Sequence, residues 1–351
     1  MLIDSLIAGG AERLAVDAAA ALDPGRYVPH LLVTRHSGPL EDRVREAGLA
    51  YTVLGRRRGF RPTLFLRARR IVRGSDLLHA HKFAGSAWGA LLAGSAGRPL
   101  VAHEHTFDGV SRPTRKIVYR AAIAPCAARI VCVSSGVAAS LRADGVAADK
   151  LTVIPNAVTI SETLSREAAR AELGLPPSAH VVGMVARLRP EKQHALALEA
   201  LAALRDRDVP CLLCVVGDGP LADPLRAQAE ALRVADRVVW AGERRDAQRL
   251  MKAFDTLLLC SSYEGMPLAA LEALVAGVPV VSTAVGAMPE LLEAGGGLIV
   301  PDDSPASIAD GVVAAFGAPI SGDALDALQL RYGIDRLADD LMRLYDTVLT
   351  S

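Results

Sequence analysis

TLLLCSSYEGMPLAALEALVAGVPVVST, residues 256–283, reads as one unit of strand, turn, helix and strand. TLLLC is a short, continuously apolar run of the kind buried on both faces of a sheet. Glu264 and Gly265 make a turn, and Pro267 suits the first turn of a helix, where its missing N–H is not needed. The helix extends to about Ala276 and stops at Gly277, and VPVVST starts the next buried strand.

The same rhythm runs outward in both directions. Strand-like runs in the first half are LIDSLI, PHLLVT, YTVLG, DLLHAH, PLVAHEH, RIVCVSS and LTVIP; in the second they are HVVGMVAR, CLLCVVG, RVVWAG, TLLLCSS, VPVVST and GLIVP. Apolar strands alternating with amphipathic helices predict parallel sheets covered on both faces. Two such series predict an α/β chain of two doubly wound, Rossmann-like domains. The first is expected over residues 1–158, ending where Pro155 and Asn156 break VIPNAV, and the second over 159–326. Residues 327–351 lack a following strand and should form a helical segment crossing back to the first domain. Ligands in open parallel sheets collect beyond the carboxyl ends of the strands, so two facing sheets would enclose an interdomain cleft.

Composition narrows the function classes. The 351 residues are 51% hydrophobic and 22% charged, which suits a globular chain and excludes a disordered one. No run reaches the ~18 apolar residues of a membrane span. The first residues lack the basic start of a secretion signal. Cys211 and Cys214 form C-x-x-C inside a strand, where an odd offset points them to opposite faces, against a metal or redox site. A cytoplasmic protein with reduced thiols is expected. The net charge of zero conceals 22 Lys+Arg against 12 Asp+Glu in residues 1–158. Much of the excess lies between Arg56 and Arg73, in RRRGFRPTLFLRARRIVR, with Phe60, Leu64, Phe65 and Leu66 interleaved. That pattern fits an ordinary solvated helix face, or peripheral contact with an anionic membrane surface. No nucleic-acid motif accompanies it.

The chemistry-bearing residues fall in post-strand loops. Glu264 sits at the mouth of the EGMP turn, beside a helix start whose N–H groups can receive an anion. Glu272 lies in an otherwise apolar helix, where a carboxylate is costly unless something bonds it. An ordinary helix with one cap and one surface glutamate would share these features. Arg187 and Lys192, in VARLRPEKQ, place two cations beside a helix start, an arrangement suited to a diphosphate. VVGDGP contains a further glycine turn at Gly217, a weak signal alone.

The ordered set GGAER, HAH, HEHT, VIPNAV, ARLRPEKQ, VVGDGP and EGMPLAALE resembles the retaining GT-B glycosyltransferases of family 4 across nearly the whole chain. Glu264 and Glu272 match that family's E-x7-E. The resemblance implies transfer of a hexosyl unit from a nucleotide-diphosphate sugar, UDP-sugar favoured, to a hydroxyl acceptor with retained anomeric configuration. It implies that Arg187 and Lys192 hold the diphosphate, and that Gly265, Met266 and Pro267 present backbone groups to phosphate and sugar. Glu264 would bind the sugar and Glu272 the ribose, with Gly242 and Glu243 near the base. Gly9 and Gly10 would approach the diphosphate and His105 the reacting sugar, with His81 and His103 on the acceptor side. The acceptor could be a glycan, a lipid-linked saccharide or a small metabolite. Only LIDSLIA precedes Gly9, so the first strand is short for the family.

No cofactor is expected. The one D-x-D, Asp206–Asp208, reads as a solvated helix end rather than a metal site, leaving Arg187, Lys192 and helix starts to stabilise the leaving diphosphate. A same-fold sugar-nucleotide epimerase or hydrolase and a non-catalytic sugar-nucleotide-binding module are the alternatives. A nicotinamide dehydrogenase is disfavoured because neither glycine turn carries G-x-G-x-x-G followed by a suitably placed acid.

Overall fold

Every one of the thirteen apolar runs forms a strand, and each strand pairs only with parallel neighbours. The computed structural model describes residues 1–350 except Ala8, 58–60, 107–112, 161–162 and Ala294. The strands of the first half are β1 (Leu2–Ile3), β2 (His30–Val33), β3 (Ala50–Val53), β4 (Leu78–His81), β5 (Leu100–Glu104), β6 (Ala127–Cys132) and β7 (Leu151–Val153). They form one sheet in the order β3-β2-β1-β4-β5-β6-β7. The second half gives β8 (His180–Val185), β9 (Cys211–Val216), β10 (Val238–Gly242), β11 (Thr256–Leu259), β12 (Val280–Ser282) and β13 (Gly297–Ile299), ordered β10-β9-β8-β11-β12-β13.

In each sheet the strand order reverses once, between β1 and β4 in the first and between β8 and β11 in the second. Successive crossover helices there leave to opposite faces, which opens a crevice at the carboxyl ends of that strand pair. β1 is only two residues long, although LIDSLI is apolar further on; Asp4 leaves the sheet and turns to Thr34, whose hydroxyl it accepts at 2.8 Å.

Residues 1–159 and 332–351 form one unit and residues 160–331 the other. The first unit is thus closed by the helix Ile334–Thr350, whose buried Leu337, Leu341, Leu344 and Tyr345 form one apolar stripe. The returning chain is fastened where Val158 N–H donates to the Tyr332 carbonyl at 2.9 Å, and where Arg336 donates to the carbonyls of Pro155 and Asn156. In the second unit, buried Leu, Val and Ala from β8, β9 and the helices His194–Asp206 and Pro305–Phe316 make one core. Cys211 and Cys214 are both buried, and burial raises both thiol pKa values, to about 11 and about 12. Asp206 ends its helix largely exposed, beside Asp208 in a left-handed conformation.

Candidate functional site

The second unit concentrates its polar groups at its β8/β11 switch point. After β8 the chain turns through Arg187, which is exposed, into a short 3-10 turn, Pro190–Lys192. Gln193 then takes a left-handed conformation that starts the helix His194–Asp206. After β11, the loop is tied to that turn by Ser262 N–H donating to the Glu191 carbonyl at 2.9 Å. This brings the Lys192 ammonium onto the Glu264 carboxylate, on the same Oε1 that accepts the Ser261 hydroxyl at 2.7 Å. Glu264 is buried and Lys192 half-buried, so the pair keeps both charges in a partly desolvated place by neutralising each other.

Gly265 and Met266 complete the loop, and Met266 is buried. Pro267 is the N-cap of the helix Leu268–Val275 rather than its first residue, and gives no side-chain cap. The first-turn N–H groups therefore depend on something other than their own cap. Glu272 is buried in the middle of that helix. A residue the sequence reading missed, Gly286, holds the loop from behind. Its φ is +54°, and a Cβ there would lie 2.2 Å from the Glu264 carbonyl oxygen. Ala287 N–H donates to the Gly265 carbonyl at 2.8 Å, and the Thr283 hydroxyl donates to that of Ser261.

Gly217 has a packing reason for its identity. With φ +150°, its Cβ would fall 2.0 Å from the Ala186 carbonyl, and at Gly219 it would fall 2.5 Å from that of Leu188. The glycines let the β8 and β9 loops zip together, with Leu188 N–H donating to the Asp218 carbonyl at 3.0 Å. Gly242 and Glu243 are exposed at the end of the edge strand β10, and the neighbouring Arg244 pairs with Asp246 and Glu172.

In the first unit Gly9 is the extended N-cap of the helix Gly10–Ala21. Glu12, buried in that helix's first turn, is ion-paired with Lys82. Lys82 follows β4 directly and has φ 65°, a left-handed backbone unusual for lysine. Neither partner was singled out from sequence, because seventy residues separate them.

Beside this pair lie four imidazoles. His79 and His81 share one face of β4, and His103 and His105 the same face of β5 and its extension, since alternate residues face alike. His79 Nε2 lies 3.2 Å from His103 Nδ1 with their rings 3° from parallel and centroids 5.2 Å apart, an edge-to-edge hydrogen bond. His81 Nδ1 and His105 Nε2 are joined likewise at 3.0 Å. The two pairs stack, His79 on His81 at 4.4 Å and His103 on His105 at 4.2 Å between centroids. All four rings are buried, and burial depresses every one of their pKa values, that of His103 to about 3. The array is therefore neutral at physiological pH.

Nitrogens of His79, His81 and His103 lie within 4.8 Å of one another, a grouping able to meet a metal by distance. An ion must sit in the plane of each ring that binds it. His81 stacks on His79 at 4.4 Å between centroids, while His79 and His103 are joined by a hydrogen bond.

Glu104, between the two β5 histidines, points to the opposite face and anchors the loop. It accepts from the His105 backbone N–H at 3.2 Å, from Thr106, from the Tyr119 hydroxyl and from Arg115 at 2.8 Å. Glu104 thereby anchors the backbone that carries His105. Of the basic segment, Arg58 and Phe60 lie outside the described residues. Leu64 and Phe65 are half-buried, Phe65 against Trp88, and Leu66 is 60% exposed on the helix Pro62–Arg73.

Two family descriptions match almost end to end, Glycosyltransferase Family 4 over residues 8–162 and Glycosyl transferases group 1 over residues 165–318. The chain belongs to the family 4 glycosyltransferases. Its GT-B fold is that of the family: the crystal structure of Anabaena Alr3699/HepE in complex with UDP superposes with a TM-score of 0.85 at 22% identity, covering 99% of this chain and 98% of that one. Among curated relatives, D-inositol 3-phosphate glycosyltransferase of Segniliparus rotundus is 30% identical over 78% of this chain and 66% of its own length. The UDP-Gal:α-D-GlcNAc-diphosphoundecaprenol α-1,3-galactosyltransferase of Escherichia coli is 29% identical over 58% of this chain. The glycosyltransferase chain spans 56% of that relative's length, somewhat less than two thirds. Among the described residues, no helix is long and apolar enough to cross a membrane.

Proposed function

We propose that this family 4 glycosyltransferase moves a hexosyl unit from a UDP-sugar to a hydroxyl acceptor with retention of anomeric configuration and without a metal ion. The observation that carries the reading is the Lys192–Glu264–Ser261 cluster beside the uncapped start of the helix Leu268–Val275. A departing nucleoside diphosphate gathers negative charge, and a fixed ammonium with oriented N–H groups stabilises it before any solvent has to reorganise. Arg187, at the mouth of the same loop, adds a second cation for the diphosphate. Glu264, held by Lys192 and Ser261, has a carboxylate positioned for sugar hydroxyls, and Glu272 one for the ribose. Gly265, Met266 and Pro267 supply backbone groups, and Gly242 with Glu243 approaches the base. In the first unit Gly9, Gly10 and His105 serve the donor, and His81 and His103 the acceptor.

A uridine donor is supported by the Anabaena HepE structure in complex with UDP-glucose and by the UDP-Gal in the name of the Escherichia coli relative. The acceptor belongs to the broad class of glycans, lipid-linked saccharides and small hydroxylated metabolites. Leu66 on the arginine-rich helix Pro62–Arg73 suits peripheral contact with an anionic membrane surface.

The test is to incubate UDP-sugars with candidate hydroxyl acceptors in EDTA and determine the anomeric configuration of the product by NMR. An α product from an α donor supports the reading. An inverted product removes retention, and turnover restored only by a divalent ion removes metal independence.

A further inference from the structure

Buried polar hydrogens must find acceptors, because leaving one unmade costs about 1–3 kcal/mol. The hydroxyl of Tyr345, on the closing helix Ile334–Thr350, is buried and lies 2.6 Å from His79 Nδ1. Among the described residues it has no other hydrogen-bond partner. The hydroxyl therefore donates to Nδ1, and a neutral His79 must carry its proton on Nε2. That Nε2–H donates to His103 Nδ1 at 3.2 Å. A neutral His103 must then carry its own proton on Nε2, a buried nitrogen without a protein partner among the described residues. Run the other way, the chain would strand the Tyr345 hydrogen as well.

We propose that Tyr345 and His79 are positioning residues whose hydrogen bonds lock His103 in the tautomer that offers Nε2–H as a donor to a substrate oxygen. The inference rests on the transferase reading for the identity of that oxygen, a sugar or acceptor hydroxyl, but not for the tautomer. The neighbouring pair shows what the lock adds. His81 and His105 share one hydrogen bond, and among the described residues their outer nitrogens, His81 Nε2 and His105 Nδ1, are buried without partners. No described residue upstream selects which ring donates. One histidine pair therefore has a fixed polarity and the other can reverse, passing a donor from one end to the other as the substrate demands.

Long-range proton–nitrogen NMR of the full chain labelled with 15N-histidine distinguishes the two tautomers directly, and only eight histidines contribute. Assignment uses His103→Gln. The expected wild-type spectrum has His79 and His103 both protonated on Nε2. Tyr345→Phe, which keeps the ring and removes the hydroxyl, should bring in the Nδ1–H form of both. His79→Gln, whose amide can still donate to His103 Nδ1, should keep His103 on Nε2, whereas His79→Leu should release it. A wild-type His103 protonated on Nδ1, or a spectrum unmoved by Tyr345→Phe, overturns the proposal.

UDP release from UDP-glucose supplies the second readout. Tyr345→Phe should lower kcat about fivefold to tenfold, the worth of one net hydrogen bond, and His79→Gln should stay near wild type. Equal losses in His79→Gln and His79→Leu would assign His79 to packing alone and overturn the positioning role. If wild type releases no UDP from any UDP-sugar in the presence of the candidate hydroxyl acceptors, the uridine donor reading fails while the spectra still decide the lock.

Discussion

Acidification should destabilise the first unit at a pH where most carboxylates are still ionised. A free histidine titrates at about 6.5, whereas His103 is held near 3 by burial, and His79, His81 and His105 are held well below the ordinary value for the same first reason. As pH falls through 6.5, the unfolded chain takes up protons that the folded chain refuses. The destabilisation is absent above about pH 7.5 and grows downward until each folded-state pKa is reached. At pH 5 the gap for His103 is about 1.5 pH units, or about 2 kcal/mol. The other three imidazoles, also depressed by burial, act in the same direction, against a typical domain stability of about 5–15 kcal/mol.

Trp88 lies in the first unit and Trp240 in the second, so Trp240→Phe leaves a fluorophore that reports the first alone. Urea unfolding of that protein between about pH 7.5 and about pH 5 should lose stability as the unfolded chain binds protons that the folded chain refuses. Placing His103→Gln in the same background should make the slope shallower by removing one of those protons. A stability that falls by less than about 1 kcal/mol over that range, or a slope unchanged by His103→Gln, would refute the account of the array as neutral and tightly excluded from water.

Two further outcomes follow from the second unit. Lys192→Met should reduce UDP release by about 10²–10³, because it removes the ammonium and leaves the buried Glu264 carboxylate uncompensated; a rate within about threefold of wild type would move the diphosphate site elsewhere. Gly286→Ala requires a left-handed alanine and drives a Cβ into the Glu264 carbonyl. It should destabilise the unit by about 1–3 kcal/mol in urea titrations while raising KM for the donor, and an unchanged KM would show that the loop is not held from behind.

The fold was legible because strands buried on both faces leave a continuous apolar trace, and CLLCVV or TLLL allows little else. β1 was the least faithful, since Asp4 turns out of the sheet to meet Thr34 within an apolar stretch. The chemistry-bearing loops could be found by their place after strands, but what each residue touches could not. Lys192 meets Glu264 across 72 positions and His79 meets Tyr345 across 266, distances over which periodicity carries no information. Gly217 shows the converse limit: a glycine in a post-strand turn looks the same whether it makes room for a phosphate or for the carbonyl of Ala186. In HEHT the outer histidines drew attention, while Glu104, pointing the other way, fixes the loop.

The first unit is interrupted in the chain by the whole of the second. A ribosome delivers residues in order, so seven strands are finished and waiting while residues 160–331 are made. Only then does the helix Ile334–Thr350 emerge to cover the apolar surface left for it and to bring Tyr345 to His79. The middle unit can fold as soon as it leaves the tunnel, but the outer one must keep an exposed seam through the rest of synthesis, which makes it the half most in need of protection from aggregation during translation.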